Sequence, residues 1–271
     1  MGSYFIKRLT AESRLKALLF DVDGTVADTE RDGHRLAFNR AFQEAGLDWN
    51  WTVSLYGELL SITGGKERIQ HYLDRYHPDF SCTGGLTQFI AGLHAAKTRY
   101  YTELLAQGAI PLRPGIERLF REAREQGLLL GIATTTTFEN VEALIEHNLG
   151  ADAMAWFDVV GAGGVVPTKK PAPDIYFYAM ERLGLTARDC LAFEDSENGI
   201  HATRGAGLTT VITTNDYTHE HNFAGAALVL DQLGEPDAPF QVLQGAANHH
   251  RYFTVDLARM IHQRFETGQS A

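Results

Sequence analysis

The chain has 271 residues, 44% of them hydrophobic, with 24 lysines and arginines against 34 aspartates and glutamates and a formal net charge of -10. Its length exceeds the ~150 residues of a typical domain, so a main domain carrying a smaller second one is expected. The acidic balance excludes the basic face that nucleic-acid binding needs. Small phosphorylated substrates stay open, because a local group of cations overrides the global sign. No apolar run approaches the ~20 residues of a membrane span, so no membrane partner is expected. Cys82 and Cys190 stand far apart and read as free thiols of a reducing compartment. Residues 1–16 lack the long apolar region of a signal peptide, and Ile6 stands where a myristoylation motif needs Ser or Thr. Cytoplasm is the expected location, or an organelle if a transit peptide precedes this sequence, and the expected state is a monomer.

Residues 1–14 read as a tail. In Leu18-Leu19-Phe20-Asp21-Val22-Asp23-Gly24-Thr25 an apolar strand ends in two carboxylates one residue apart, followed by a glycine that lets the chain turn. Side chains at i and i+2 of an extended segment point the same way, so Asp21 and Asp23 converge on one place. Like charges held so close need a divalent cation or a shared proton. Mg²⁺ with a phosphoryl group suits that place; a plain strand-terminal turn is the alternative at this point. Glu30 begins a helical region closed by Gly46, with Leu36, Phe38, Ala41, Phe42 and Ala45 as its apolar stripe. Helices are expected over Val53–Leu60, Arg68–Tyr76 and Phe89–Leu105, the last with Phe89, Leu93, Ala96, Tyr100 and Leu104 at helical spacing. The turn Thr63-Gly64-Gly65-Lys66 and a loop around 78–85 separate them, and this stretch reads as an all-helical insert.

From Ile110 helices and strands alternate. Helices are expected from Pro114-Gly115 to Gln126 and over Asn140–His147, Asp174–Leu183 and Asn198–Ala206. Strands are expected over Leu128–Ala133, Phe157–Val160, Cys190–Phe193, Thr209–Ile212 and Ala227–Leu230. Short apolar strands between such helices predict an α/β architecture, a Rossmann-like core with a parallel sheet covered on both faces, here interrupted by the helical insert. Beyond about Asp231 only a final amphipathic helix, Phe253–Phe265, is expected, with a packing role.

In parallel sheets ligands bind outside the carboxyl ends of the strands, and three more motifs stand there. One strand runs into Thr134-Thr135-Thr136-Thr137, where hydroxyls and amides at a helix start suit an anion; Thr135, Thr136 and Asn140 are candidates to touch substrate. Lys169-Lys170-Pro171-Ala172-Pro173 puts a lysine ahead of a proline-stiffened helix start, and Leu191–Phe193 ends in Glu194-Asp195-Ser196. Each alone has a plain explanation, as cap or solvated charge. Together, two acidic pairs, a hydroxyl and a lysine make an anion-plus-metal constellation.

With these four motifs in order, the chain resembles the haloacid dehalogenase superfamily over roughly residues 15 to 230. The insert matches the cap of the beta-phosphoglucomutase and phosphoglycolate-phosphatase branch. It is similar in particular to the CbbY-type proteins through Glu30, His34 and Arg35-Leu-Ala-Phe-Asn39, Leu55-Tyr56-Gly-Glu-Leu-Leu60, Gly64-Gly65-Lys66-Glu67-Arg68 and Ala91-Gly-Leu-His94-Ala-Ala-Lys97-Thr98. The resemblance implies a discontinuous core, residues 15–32 and 108–240, with a cap over 33–107; the ends, read as tails at 1–14 and 241–271, depart from the family's pattern. It implies phosphoryl transfer in which Asp21 is the nucleophile, Asp23 the acid and base, and Thr134 and Lys170 the holders of the phosphoryl oxygens. It implies Mg²⁺ on Asp21, Asp195 and the backbone carbonyl of Asp23, with Glu194 one shell further out. The substrate implied is a small phosphorylated sugar, xylulose-1,5-bisphosphate above others. Gly64 and Gly65 would give a flexible cap turn, Lys66 and Arg68 the cations for the uncleaved phosphate, and Glu30, His34 and Tyr56 the readers of sugar hydroxyls. His94 and Lys97 fall on the polar side of their helix, and the resemblance places their equivalents over the substrate. A dehalogenase needs neither Asp23 nor Asp195. A beta-phosphoglucomutase, a general phosphoglycolate or sugar-phosphate phosphatase, and a non-catalytic phosphosugar sensor remain alternatives.

Overall fold

The structure, a computed structural model, describes residues 14–62, 64–82 and 84–266; most of the expected N-terminal tail, Thr63 and the last residues of the C-terminal one lie outside these. Strand β1, Ala17–Phe20, is four apolar residues with no exposure at all. Such a strand, buried on both sides, belongs at the centre of a parallel sheet. A π-helical turn, Thr29–His34, leads into α1 (Arg35–Glu44), followed by α2 (Val53–Leu59), α3 (Gly65–Tyr76) and α4 (Leu86–Ala106). The alternating part follows: α5 (Ile116–Glu125), β2 (Leu129–Ala133), α6 (Phe138–Leu149), β3 (Val159–Gly161), α7 (Asp174–Leu183), β4 (Cys190–Glu194), α8 (Glu197–Gly205), β5 (Thr209–Thr213), β6 (Leu228–Leu230), β7 (Val242–Gly245) and α9 (Val255–Glu266). Among the described residues no helix is long and apolar enough to cross a membrane.

The sheet runs β3-β2-β1-β4-β5-β6-β7, parallel except for β7, which lies antiparallel on β6. Strand alternation sends Leu18 and Phe20 to one face, where they join Leu130, Ile132, Leu191 and Phe193 under α5, α6 and α9. Phe20 stacks on Phe193 with ring centroids 4.4 Å apart and meets Phe120 edge-on at 4.9 Å. Ala17 and Leu19 face the other side, with Ile175, Tyr176, Ala179 and Ala202 of α7 and α8. Helices α1 to α4 bury a separate aromatic cluster, Phe38, Phe42, Trp49, Trp51, Tyr56 and Tyr72.

The expected fold class therefore holds, with differences at particular places. The helical region expected from Glu30 opens as a π-helical turn, and α3 and α4 begin three residues earlier than expected, at Gly65 and Leu86. The expected C-terminal tail is not a tail over residues 241–266. Strand β7 extends the sheet, and α9 packs on β4 and α5, with Phe253 fully buried and edge-on to Phe193 at 5.2 Å. Arg118 of α5 ties this segment down, donating to Gly234 O, Phe253 O and Glu235 Oε2 at 2.7–2.8 Å.

Candidate active site

Register brings the motif residues together. Phe20 pairs with Ile132 on one side and Phe193 on the other, so Asp21 leaves the sheet level with the ends of β2 and β4. β1 is also where the chain switches from building one half of the sheet to the other, the place where a crevice opens above the strand ends. Asp21 N continues the ladder by donating to Phe193 O at 3.0 Å.

Lys170 Nζ lies 2.6 Å from Asp21 Oδ1 and 2.6 Å from Glu194 Oε1, all three side chains being less than a tenth exposed. Burial works against the ammonium, but Asp21 and Glu194 outweigh it and hold its pKa above the ordinary lysine range. Tyr176 donates its hydroxyl to Glu194 Oε1. Burial raises the Glu194 carboxyl to about 7 although Lys170 opposes it. Asp195 is pushed well above the usual carboxylate range by burial and then by Asp21 and Glu194, while Asn215 Nδ2, donating to Asp195 Oδ2 at 2.7 Å, opposes the rise. Asp23 is raised to about 7 by burial and by Asp21, and Thr29 Oγ1 donates to its Oδ1 at 2.5 Å.

Two glycines make this crowding possible. Gly24 turns at a φ of +85°, and a Cβ there would stand 2.3 Å from Asp195 Oδ2. A Cβ on Gly199 would stand 1.9 Å from Glu194 Oε2. Arg113 holds the floor from behind: its buried guanidinium donates to the carbonyls of Gly24, Thr213, Thr214 and Asp231 and lies 3.3 Å from Asp28 Oδ1.

Asp21, Glu194 and Asp195 each offer a carboxylate oxygen, and these atoms all lie within 4.8 Å of one another. Glu194 Oε2 is buried without a hydrogen-bond partner among the described residues. Three buried carboxylates against one ammonium, two of them pushed toward the protonated form, make an all-oxygen donor set that a hard divalent cation such as Mg²⁺ fits and would keep ionised.

Thr134, 1% exposed, continues β2 by donating its N–H to Gly161 O, and its Oγ1 accepts from Thr136 N at 3.3 Å. Asn140 Nδ2 donates to Thr136 Oγ1 at 3.2 Å, whereas Thr135 is exposed. In the helical part, Tyr56 is fully buried and donates to Glu30 Oε2 at 2.6 Å. Arg68 is 9% exposed and turned inward, donating to Tyr56 Oη at 2.9 Å, Leu59 O at 3.1 Å and Ile62 O at 3.3 Å. Lys66, two residues earlier, is exposed, so the structure separates the two cations expected to act together. Gly64, at φ +96°, caps α3, and Gly65 sits where a Cβ would be 2.6 Å from the His94 ring.

Lys97 does not lie on an exposed polar side. Its Nζ is 2.9 Å from His34 Nδ1, over the rings of Phe38 and Tyr101 at 5.2 Å each. Burial lowers the His34 pKa to about 4 against the pull of Glu30, so the ring is neutral and Nδ1 accepts from the ammonium. Asp23, Glu30, Leu60, Asp195, Asn215 and Tyr217 line one cavity of about 80 Å³ between the strand ends and the helical part.

Sequence reasoning missed Tyr176, Asn215, Arg113 and Thr29. Asn215 was within reach of the strand-end rule, because it follows β5 as the motifs follow β1, β2 and β4. Tyr176 carries no such signal, since an aromatic inside an apolar helix reads as core.

Residues 15–207 match the haloacid dehalogenase-like hydrolase family. Over 247 residues the chain is 49% identical to the plasmid-encoded protein CbbY of Cupriavidus necator, covering 91% of this chain and 95% of that one. It superposes on the crystal structure of a mutant CbbY from Rhodobacter sphaeroides in complex with xylulose-1,5-bisphosphate with a TM-score of 0.67, at 45% identity over 80% of this chain and 94% of that one. A beta-phosphoglucomutase-like structure from Thermotoga maritima, at 24% identity and a TM-score of 0.62, shares the fold. The chain is therefore an enzyme of the haloacid dehalogenase-like hydrolase family, of its CbbY type.

Proposed function

We propose that this enzyme is a Mg²⁺-dependent phosphatase that removes one phosphate from a sugar phosphate through an aspartyl-phosphate on Asp21, with xylulose-1,5-bisphosphate as substrate and xylulose 5-phosphate as product. The observation that carries the reading is Lys170 Nζ at 2.6 Å from both Asp21 and Glu194, with Asp195 in the same cluster and Asp23 two residues on. Phosphate monoesters are among the slowest bonds to hydrolyse, so nucleophile, acid and charge neutralisation must act together. An Asp21 carboxylate oxygen attacks phosphorus, the bond from phosphorus to the sugar oxygen breaks, and Asp23 gives that oxygen its proton. Thr29 holds Asp23 Oδ1 and leaves the other oxygen for this transfer. Water then attacks the phosphorus, Asp23 takes the water's proton, and inorganic phosphate and the Asp21 carboxylate are restored. Lys170 and Thr134 hold the phosphoryl oxygens and offset their charge. Mg²⁺, held by Asp21 and Asp195 with the Asp23 carbonyl and Glu194 beside it, would supply further charge neutralisation.

The sugar comes from the relative crystallised with xylulose-1,5-bisphosphate and from the cap side chains. The cap is taken as residues 33–107 and the core as 15–32 with 108–240, on which β7 and α9 pack. Glu30, His34 and Tyr56 would face sugar hydroxyls, with Arg68 bracing Tyr56. Lys66, His94 and Lys97 would meet the uncleaved phosphate as the cap closes. The enzyme would act as a monomer in the cytoplasm.

The test is phosphate release with Mg²⁺ and with EDTA from xylulose-1,5-bisphosphate, ribulose-1,5-bisphosphate, beta-glucose-1-phosphate, beta-glucose-1,6-bisphosphate and phosphoglycolate. A Mg²⁺-dependent preference for the first of ~100-fold in kcat/KM, about 2.7 kcal/mol, is expected. Slow hydrolysis of all alike would refute the substrate and leave the chemistry standing. No release from any would refute the phosphatase.

A further inference from the structure

After β5 the chain turns through Thr214-Asn215-Asp216-Tyr217-Thr218. The turn is closed on itself: Asn215 N donates to Thr218 Oγ1 at 3.1 Å, and Thr218 N to Asn215 O at 3.1 Å. Three successive side chains leave it in three directions. Asn215 Nδ2 reaches Asp195 Oδ2 at 2.7 Å and Gly24 O at 3.4 Å. Asp216 Oδ2 is 2.9 Å from Arg31 Nη1, in the π-helical turn that leads into the cap. Tyr217 meets Tyr56 edge-on at 5.9 Å and packs so closely on α2 that a Cβ at Gly57 would come within 3.1 Å of its Cδ1.

The sense of the Asn215 amide is set by chemistry. Its Oδ1 accepts from Tyr217 N at 3.0 Å, and a backbone N–H can only donate, so Nδ2 must face Asp195. The bond that orients Asp195 and the ring that rests on the cap thus belong to one short turn. Gly24 leaves no slack, since a Cβ there would be 2.6 Å from Asn215 Nδ2. The Tyr217 hydroxyl is buried without a hydrogen-bond partner among the described residues, so the ring rather than the oxygen makes the contact with α2.

We propose that the 214–218 turn couples the cap to the metal site: Asn215 is a positioning residue for Asp195, and Tyr217, resting on α2, holds Asn215 in place, so that a closed cap strengthens Mg²⁺ binding. The inference rests on the proposed Mg²⁺-dependent reading. Partners that orient a metal ligand from outside are worth about 10- to 100-fold in metal affinity.

The experiment is Mg²⁺ titration by calorimetry on the full chain without substrate, run beside phosphate release. Asn215→Ala should raise the Mg²⁺ Kd about 10- to 100-fold. Tyr217→Ala, which touches no metal ligand, should raise it by about 3-fold or more, and Tyr217→Phe should restore it. Gly57→Ala, a cap substitution that favours the helix, should also weaken Mg²⁺ by about 3-fold by displacing Tyr217. A wild-type chain that neither binds Mg²⁺ nor releases phosphate would defeat the functional reading itself. Wild-type binding with Asn215→Ala unchanged would overturn the positioning role alone. Weakened Asn215→Ala with both Tyr217→Ala and Gly57→Ala at wild-type affinity would overturn the coupling, and Gly57→Ala decides if Tyr217→Ala fails to fold.

Discussion

Replacing Lys97 by methionine should make the protein more stable and a poorer enzyme. The ammonium is held among His34, Phe38 and Tyr101, and burial lowers its pKa to about 8 from the ordinary 10.5, with Glu30 pulling the other way and Arg68 reinforcing the drop. At about 1.4 kcal/mol per tenfold, keeping it charged at pH 7 costs the folded state roughly 3 kcal/mol. Methionine removes that cost while keeping most of the volume. It also forfeits the hydrogen bond to His34, about 1 kcal/mol, and the contact with two ring faces, about 0.5–1 kcal/mol. The net expectation is a gain of about 1–2 kcal/mol at pH 7 by urea unfolding. The pH dependence carries the sign. Between pH 8 and 10.5 the unfolded chain binds more protons at this site than the folded one, so wild-type stability rises with pH there. Methionine lacks that rise, which is larger than the expected gain, so the variant's advantage should be full at pH 7 and gone or reversed by pH 10. A variant less stable than wild type at pH 7, or a gap of the same size at both pH values, would refute the reasoning. A charge kept at such cost has a use elsewhere, and phosphate release from the bisphosphate should show KM raised about tenfold or more.

Lys170→Met, which strands Asp21 and Glu194, should lower kcat by about 10²- to 10³-fold in the phosphate-release assay. Acid should destabilise the fold through His34: its folded pKa of about 4 lies below the ordinary 6.5, so stability is lost as pH falls between these values, and His34→Phe should flatten that part of a urea-unfolding profile. Gly199→Ala should cost about 1–3 kcal/mol and most activity by pressing on Glu194, whereas Gly92→Ala, with nothing within 4 Å of its Cβ, should stabilise α4 by up to about 1 kcal/mol. Deleting residues 241–271 should abolish cooperative thermal unfolding, because it uncovers β6 and removes Phe253 from Phe193.

The core of the site was legible because strand ends in a parallel sheet are set by backbone register. Once β1, β2 and β4 are neighbours in step, Asp21, Thr134, Glu194 and Asp195 have little freedom about which edge they occupy. The final helix, expected over Phe253–Phe265, is there as α9, but strand β7 was not legible, for the opposite reason. Strand β7 has four exposed residues behind a stretch with Gly234, Pro236 and Pro239, so neither alternation nor apolar run marks it. What holds it is pairing with β6 and the grip of Arg118, both tertiary.

Helix α4 shows where periodicity misleads in a cap. Its buried residues are Ile90, Leu93, Ala96, Tyr101, Leu104 and Leu105, and Lys97 stands four residues from both Leu93 and Tyr101, inside the stripe rather than beside it. Charge in a helix is ordinarily taken to mark the face turned to water. A cap helix has a third kind of face, turned toward another part of the same chain across a crevice, and a polar residue there looks in sequence like a solvated one. Burial separates the two. Water leaves an exposed lysine at its ordinary pKa, whereas Lys97 falls to about 8 and its neighbour His34 to about 4, both toward the neutral form. A phosphate entering beside them would add its negative charge to that of Glu30, drawing both pKa values upward. The pair is thereby poised to gain most when an anion arrives, and packing alone gives no reason to keep it.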